Sequence, residues 1–251
     1  MFRVVIPARY ASGRLPGKAL LPIAGKPMVQ WVYERAKASV ASEVLIATDD
    51  LLIVSAAHSF DAETVMTDAA HASGTDRIAE VARVRKWSDD DIVVNVQGDE
   101  PLIPPALIDQ VAAVLETNRQ ADIATLATPI LSMEEFMDPN VVKVVTNAAG
   151  RALYFSRAPM PWNRDGAAAG IASQKSFSGA RRHVGIYAYR VGALVRLASL
   201  APSPLETRER LEQLRALENG MQIAVAETLE RPGPDVNTAA DFERVGALLG
   251  R

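Results

Sequence analysis

Apolar residues in the first half of the chain follow two alternating rhythms. Short runs at 4–6, Glu43–Thr48, Glu63–Met66 and 92–96 read as strands, and the Ile-Val-Val-Asn-Val of the last is the clearest buried one. Between these runs, apolar positions recur every three or four residues. Met28, Trp31, Val32 and Ala36 share one face of a helix over 27–38, with Pro27 at its first position. Leu51–His58 reads as a short helix. Another runs to about residue 85 with Thr75 as its cap, and Leu107, Ile108, Val111, Val114 and Leu115 mark the next. Strands alternating with helices predict an α/β fold with a doubly wound, mostly parallel sheet. Ligands of such sheets sit at the carboxyl ends of the strands. The segments at 8–18, 71–77 and 97–101 each follow a strand, so they should meet along one edge.

The second half is less regular. Residues 123–128, 141–146, 183–189 and 223–225 read as strands, and 154–162 as a loop punctuated by prolines. Residues 163–180, rich in Gly, Ala and Ser, read as a mobile or peripheral excursion. Leu211, Leu214 and Leu217 mark a helix ending near Gly220. Thr238 and Asp241 resemble a capping box for a last helix packed through Phe242, Val245 and Leu249.

Composition narrows the classes of function. With 251 residues, 49% of them hydrophobic, the chain has material for a large core in one domain. A formal net charge of −3 argues against non-specific nucleic-acid binding, which needs a basic face. The absence of cysteine excludes disulfides and thiolate metal sites. There is no apolar run of about 18 residues to span a membrane. The few residues before and within the first strand are too short for a signal peptide.

Candidate chemistry gathers first in the loop after residue 7. It carries Arg9, Arg14 and Lys18 among glycines and small residues. Backbone N–H groups and cations in such a loop suit a polyanion, although a solvated basic turn has the same composition. Neither of the two common glycine-rich nucleotide fingerprints is present. Asp99 follows a buried strand in a glycine-containing turn, where a carboxylate can hold a hard cation; it can equally be an ordinary turn residue. His183 and Tyr187 are four apart on a strand and face the same side. Arg157 can clamp a carboxylate or simply be exposed. Glu212 and Gln213 lie beside the leucine stripe, where a solvated helix flank is the common case.

Several separated motifs carry a resemblance. The run Ile6-Pro7-Ala8-Arg9-Tyr10-Ala11-Ser12, then Arg14-Leu15-Pro16-Gly17-Lys18 and Gly25-Lys26-Pro27-Met28, resembles the signature loop of the sugar-acid cytidylyltransferases. Residues 94–101, 73–77, 153–157, 182–187 and 203–215 narrow it to the CMP-Kdo synthetase (3-deoxy-manno-octulosonate cytidylyltransferase) family, in the family's order over nearly the whole chain. The resemblance implies a Rossmann-like nucleotidyltransferase fold, with 1–130 mainly binding nucleotide and 131–251 mainly sugar acid and dimer partner. It implies transfer of CMP from CTP to Kdo with Mg²⁺, in a cytoplasmic homodimer serving lipopolysaccharide synthesis. Arg9, Arg14 and Lys18, with the amides of the loop around Ala8 and Ser12, then match a triphosphate cradle. Ser73, Gly74 and Arg77 match the segment against the cytidine, and Asp99 matches a Mg²⁺ ligand. Gln97, Arg157, His183, Tyr187, Glu212 and Gln213 match the positions that hold the sugar acid.

Two positions depart from the family pattern. Gly13 stands where Ser or Thr is usual. Asn237 stands where an aspartate serves as second metal ligand, and Asp235, two residues earlier, is expected to supply the missing charge in part. The alternatives are a related acceptor such as 8-amino-Kdo, and a CTP-binding regulatory protein that has lost catalysis.

Overall fold

A computed structural model of the chain describes residues 1–10, 15–166 and 169–250. Strand β1 (Phe2–Pro7) leads through a short 3₁₀ turn at Lys18–Leu20 into a small hairpin, β2 (Pro22–Ile23) and β3 (Lys26–Pro27). Then follow α1 (Met28–Lys37), β4 (Glu43–Thr48), α2 (Leu51–His58), β5 (Glu63–Met66), α3 (Gly74–Val84), β6 (Ile92–Asn95) and α4 (Pro105–Thr117). The second half runs β7 (Ile123–Pro129), α5 (Met133–Met137), β8 (Lys143–Thr146), β9 (Ala152–Ser156), β10 (Arg181–Arg190) and α6 (Val191–Ser199). It closes with α7 (Pro204–Glu209), α8 (Gln213–Glu218), β11 (Ile223–Glu227) and α9 (Ala239–Leu249).

The main sheet has the order β11-β7-β10-β6-β1-β4-β5. β6, β1, β4 and β5 pair in parallel, as do β7 and β11. The ten-residue β10 lies between the two groups, antiparallel to both β6 and β7. β8 and β9 form an antiparallel extension off its first half. Both faces of the sheet are covered because β1 alternates. Val4 and Ile6 join Val29, Val32, Leu107 and Val111 of α1 and α4, while Val5 joins Ile78, Val81, Leu194 and Leu197 of α3 and α6. That is the doubly wound arrangement expected from the alternation of strands and helices.

Several local expectations need correction. Ser73, not Thr75, caps α3: its hydroxyl accepts from the Asp76 N–H, and Asp76 reciprocates at the Ser73 N–H. Thr75 is the second residue inside the helix and is buried. Pro27 ends the β2–β3 hairpin, and α1 begins at Met28. Residues 154–156, the first part of the prolyl loop, belong to strand β9, because the backbone of that strand pairs with β8. The 163–180 stretch returns to the body at its end, where Phe177 and Ala180 pack on Ile130 and Phe136. Leu211 precedes α8 instead of lying on it. Helices α5, α6 and α7 were not anticipated.

The last helix forms as its capping box suggested, with Thr238 and Asp241 bonded reciprocally. Val245 of α9 packs with Val236, Ile23 and Met28, and Phe242 lies against them. This packing brings residues 235–238 over the N-terminal hairpin, beside the strand ends.

Candidate active site

The loops after β1, β5 and β6 meet at the carboxyl edge of the parallel strands around a cleft of about 310 Å³. Ala8, Arg9, Lys18, Ser73, Gly74, Arg77, Gln97, Asp99 and Asn237 all line it, so most of the residues assigned to the nucleotide and metal converge. Met28 and His71 line it too; neither carried a site signal in the sequence. Ser12 and Arg14 lie outside the described residues. Two glycines set the cleft floor. A β-carbon on Gly98 would sit 2.9 Å from the Pro7 carbonyl oxygen, and one on Gly74 would sit 3.1 Å from the Pro7 ring. The end of β1 is thus clasped between the β6 turn and the first turn of α3.

Charge in the cleft is arranged in opposed pairs. Lys18 donates from Nζ to Asp99 Oδ2 at 2.7 Å, with the lysine mostly buried. Arg77 is only 3% exposed, and its guanidinium bonds to Asp49 Oδ2 at 3.0 Å and to the Thr67 hydroxyl. It therefore ties α3 to the ends of β4 and β5 and supplies wall more than free charge. His71 Nε2 lies 2.6 Å from Glu80 Oε2, which also accepts from the Asp68 N–H. The β5–α3 loop is in this way pinned to its own helix.

The 235–238 segment meets the Asp99 turn through a bond from the Val236 N–H to the Asp99 carbonyl at 2.9 Å. Asn237 donates from Nδ2 to Asp235 Oδ2. Asp235 therefore stands behind Asn237 and is not among the cleft-lining residues. Burial, with the charges of Asp99 and Asp235 adding to it and Arg182 opposing, raises the Glu100 carboxyl to about 8. Carboxyl groups thus crowd this corner, and the side-chain oxygens of Asp99 and Asn237 are hard donors. The set fits a hard divalent cation that takes further ligands from a phosphate.

A second, more neutral polar region adjoins the cleft on β10. Tyr187 sits opposite Asn95 on β6, two residues before Gln97. A bulge between Val184 and Tyr187 adjusts the register there. His183 Nε2 lies 3.0 Å from the Thr125 hydroxyl, which is also 2.7 Å from the Ile186 carbonyl. The hydroxyl has one proton to give, and the carbonyl can only accept. Nε2 therefore carries the imidazole proton and Nδ1 is left as an acceptor. Burial, with Arg182 adding to it, pushes the imidazole down to about 3, so the ring is neutral. It packs edge-on to Phe155 at 5.1 Å and lies 5.3 Å from Tyr187.

Glu212 and Gln213 are not a solvated flank. Gln213 is 8% exposed, and Glu212 Oε1 is buried with no hydrogen-bond partner. Burial raises the Glu212 carboxyl even though Thr75 and Arg215 pull it down. Arg157 stands apart from this group. Its Nε donates to the Glu209 carbonyl at 2.8 Å and its guanidinium to the Pro139 carbonyl at 3.0 Å. No helix among the described residues is long and apolar enough to cross a membrane.

Comparison with known proteins was made against this geometry. A family model described as "Cytidylyltransferase" matches residues 3–223. The 3-deoxy-manno-octulosonate cytidylyltransferase of Thioalkalivibrio sulfidiphilus is 56% identical over 99% of this chain and 98% of its own. The protein of that name from Pseudomonas fluorescens shows the same identity and coverage. The solved structure of CMP:2-keto-3-deoxy-manno-octonic acid synthetase complexed with CTP superposes with a TM-score of 0.89 at 42% identity, covering 99% of this chain and 98% of that one. A 4-diphosphocytidyl-2C-methyl-D-erythritol synthase, 12% identical with a TM-score of 0.62, shares the fold.

Proposed function

Because this chain belongs to the 3-deoxy-manno-octulosonate cytidylyltransferase (CMP-Kdo synthetase) family, we propose that its two adjoining pockets divide that family's reaction between them. The chain is a nucleotidyltransferase that transfers CMP from CTP to Kdo and releases pyrophosphate. The charged cleft holds the nucleotide, and the neutral polar pocket on β10 holds the sugar acid. The observation that carries this division is the placement of Arg9, Lys18 and Asp99 in one cleft with Gln97, two residues beyond Asn95, the β6 partner of Tyr187.

Arg9 and Lys18 neutralise the triphosphate, while Gly98 and Gly74 keep side chains off the floor where the phosphates approach. Ser73 and Gly74, at the positive end of α3, lie against the cytidine. In the acceptor pocket the His183 Nδ1 and the free Glu212 oxygen accept from sugar hydroxyls, with Gln97, Tyr187 and Gln213 as further polar contacts. The anomeric hydroxyl oxygen bonds to the α-phosphorus and gives up its proton, and the bond to the leaving pyrophosphate breaks in line. Positioning and charge neutralisation supply the acceleration, without a covalent enzyme intermediate. Asp99 and Asn237, with Asp235 behind them, would hold Mg²⁺, which would supply Lewis-acid polarisation of the phosphoryl oxygen.

Exposed Leu131, Leu153, Trp162 and Ile171 on the peripheral 129–180 region support a homodimer formed there, which light scattering on the eluted protein tests. The enzyme acts in the cytoplasm, where CTP is made, and supplies lipopolysaccharide assembly. The direct test is pyrophosphate release from CTP, Kdo and Mg²⁺, with 8-amino-Kdo as parallel acceptor. Release that requires Kdo is expected. CTP binding without Kdo-dependent release would overturn the reading.

A further inference from the structure

Glu209 joins two segments that flank the proposed acceptor region. It is the last residue of α7 and stands three positions before Glu212. Both oxygens of its carboxylate accept hydrogen bonds from the end of β9. Oε1 takes the Ser156 hydroxyl at 2.6 Å, and Oε2 takes the Arg157 backbone N–H at 3.0 Å. The Glu209 backbone carbonyl accepts from Arg157 Nε at 2.8 Å. The last carbonyls of a helix have no partner within it, and the left-handed turn at Arg210 (φ 55°, ψ 46°) ends α7 directly after Glu209. Arg157 is therefore held by this one residue at its backbone and at its guanidinium.

These bonds orient the Arg157 charge without neutralising it. Nη1 donates to the Pro139 carbonyl at 3.0 Å, so two neutral carbonyls aim the guanidinium. Among the described residues it makes no ion pair, and Nη2 carries no bond. Neighbouring arginines are committed. Arg215 donates to Glu206 at 2.6 and 2.8 Å, and Arg182 lies 3.5 Å from Glu135. A cation aimed by neutral acceptors keeps its charge for an anion, whereas Arg77 is paired with Asp49. The groups proposed to hold the sugar acid, Gln97, His183, Tyr187, Glu212 and Gln213, include no cation, since His183 is neutral. The carboxylate of the acid needs one. Arg157 follows two residues after Phe155, whose ring packs edge-on to His183 at 5.1 Å. The loop that holds its Nη1 also accepts the His183 N–H, through the Val142 carbonyl at 2.8 Å. Buried Lys143 ties that loop down by donating to the Asp138 and Val141 carbonyls.

We infer that Glu209 is a positioning residue for the acceptor: by clasping Ser156 and Arg157 it holds the Arg157 guanidinium toward the carboxylate of the sugar acid. The inference rests on the proposed placement of the sugar acid beside His183, and the test separates the two. Glu209→Ala removes both carboxylate acceptors and leaves the backbone carbonyl, while Glu209→Gln keeps one side-chain acceptor. In pyrophosphate-release assays on the full chain, Glu209→Ala is expected to raise KM for Kdo about tenfold while KM for CTP stays within about twofold. Glu209→Gln should fall between Ala and wild type. Arg157→Ala and His183→Ala are run alongside, with the Glu209→Ala/Arg157→Ala double variant. A double variant no worse than Arg157→Ala alone shows that Glu209 acts through Arg157. Effects that add in the double variant, or a CTP KM that rises as far as that for Kdo, overturn the positioning role. An unchanged KM for Kdo in Glu209→Ala or Arg157→Ala, with a raised one in His183→Ala, overturns it too and leaves the placement of the sugar acid standing. An unchanged KM for Kdo in His183→Ala instead overturns that placement. If Glu209→Ala does not fold, Ser156→Ala removes one arm of the clasp, with a smaller rise in the same KM expected and no rise overturning the inference.

Discussion

The charged cleft and the neutral region on β10 proposed to hold the acceptor are built on different physical plans. The cleft lies at the ends of parallel strands and works with charge: Arg9, Lys18, Asp99 and a crowded acidic corner at Glu100 and Asp235. Its members are close in sequence to strand ends, and two glycines let backbone approach backbone. The proposed acceptor region lies where the antiparallel β10 wedges into the sheet. It works with buried neutral groups, a histidine held near 3 and a phenol at Tyr187 pushed well above its ordinary range by burial. A polyphosphate is recognised by compensating charge. A polyhydroxy acid is recognised mainly by counted donors and acceptors in a site from which water is excluded. Substitutions in the cleft should therefore damage rate and metal dependence, and those in the pocket should damage acceptor affinity.

The sharpest test of that division is Asp99→Asn. It removes the main carboxylate offered to the metal and the partner of Lys18, and should lower kcat/KM by about a thousandfold while circular dichroism stays unchanged. A near-normal rate at saturating Mg²⁺ would remove Asp99 from the metal site. Gly98→Ala should come next. Its β-carbon would press on the Pro7 carbonyl, costing about 1–3 kcal/mol of stability in a urea titration and weakening CTP binding, with Gly74→Ala milder because it meets only the proline ring.

His183→Ala probes the other side of the comparison. KM for Kdo should rise about tenfold with CTP affinity, read by calorimetry, unchanged. A selective loss of CTP affinity would break the division. The same residue sets a pH signature. Its folded pKa of about 3 lies below the unfolded value near 6.5, so the unfolded state takes up a proton first. The neutral imidazole's contribution is complete above 6.5 and is lost as pH falls from there toward 3. The difference between wild type and His183→Phe in urea midpoint should change across that window and be flat above it. The smallest effect belongs to the metal corner. Asp235→Ala should raise the Mg²⁺ concentration for half-maximal rate about two- to fivefold, and Asn237→Asp should lower it. An unchanged Mg²⁺ dependence for Asp235→Ala would leave Asp99 as the only protein carboxylate acting there.

Local pattern was enough for the parallel half. The strands Glu43–Thr48 and Glu63–Met66 and the helix Leu51–His58 form within the expected limits, because periodicity and strand-end punctuation are properties of neighbouring residues. The Thr238 capping box is visible for the same reason. The true cap of α3 at Ser73 is equally local, its Asp76 partner standing three residues on. Composition excluded disulfides, and the motif order over the whole chain pointed to the family.

What the sequence could not determine is everything that depends on a distant partner. β10 sits antiparallel between β6 and β7 because the β8–β9 meander feeds it back into the sheet, and alternation along a strand carries no information about its direction. Residues 154–156 look like loop until β8 supplies the hydrogen bonds of their strand. Glu212 and Gln213 look solvated beside their leucine stripe, and are covered only when α8 packs against β9 and α7. Arg77 looks like a free cation until Asp49 and Thr67 close on it. Residue type and spacing set which groups can bond. Burial and direction, which decide whether a group is a ligand, a wall or a support, come from contacts between elements far apart in the chain.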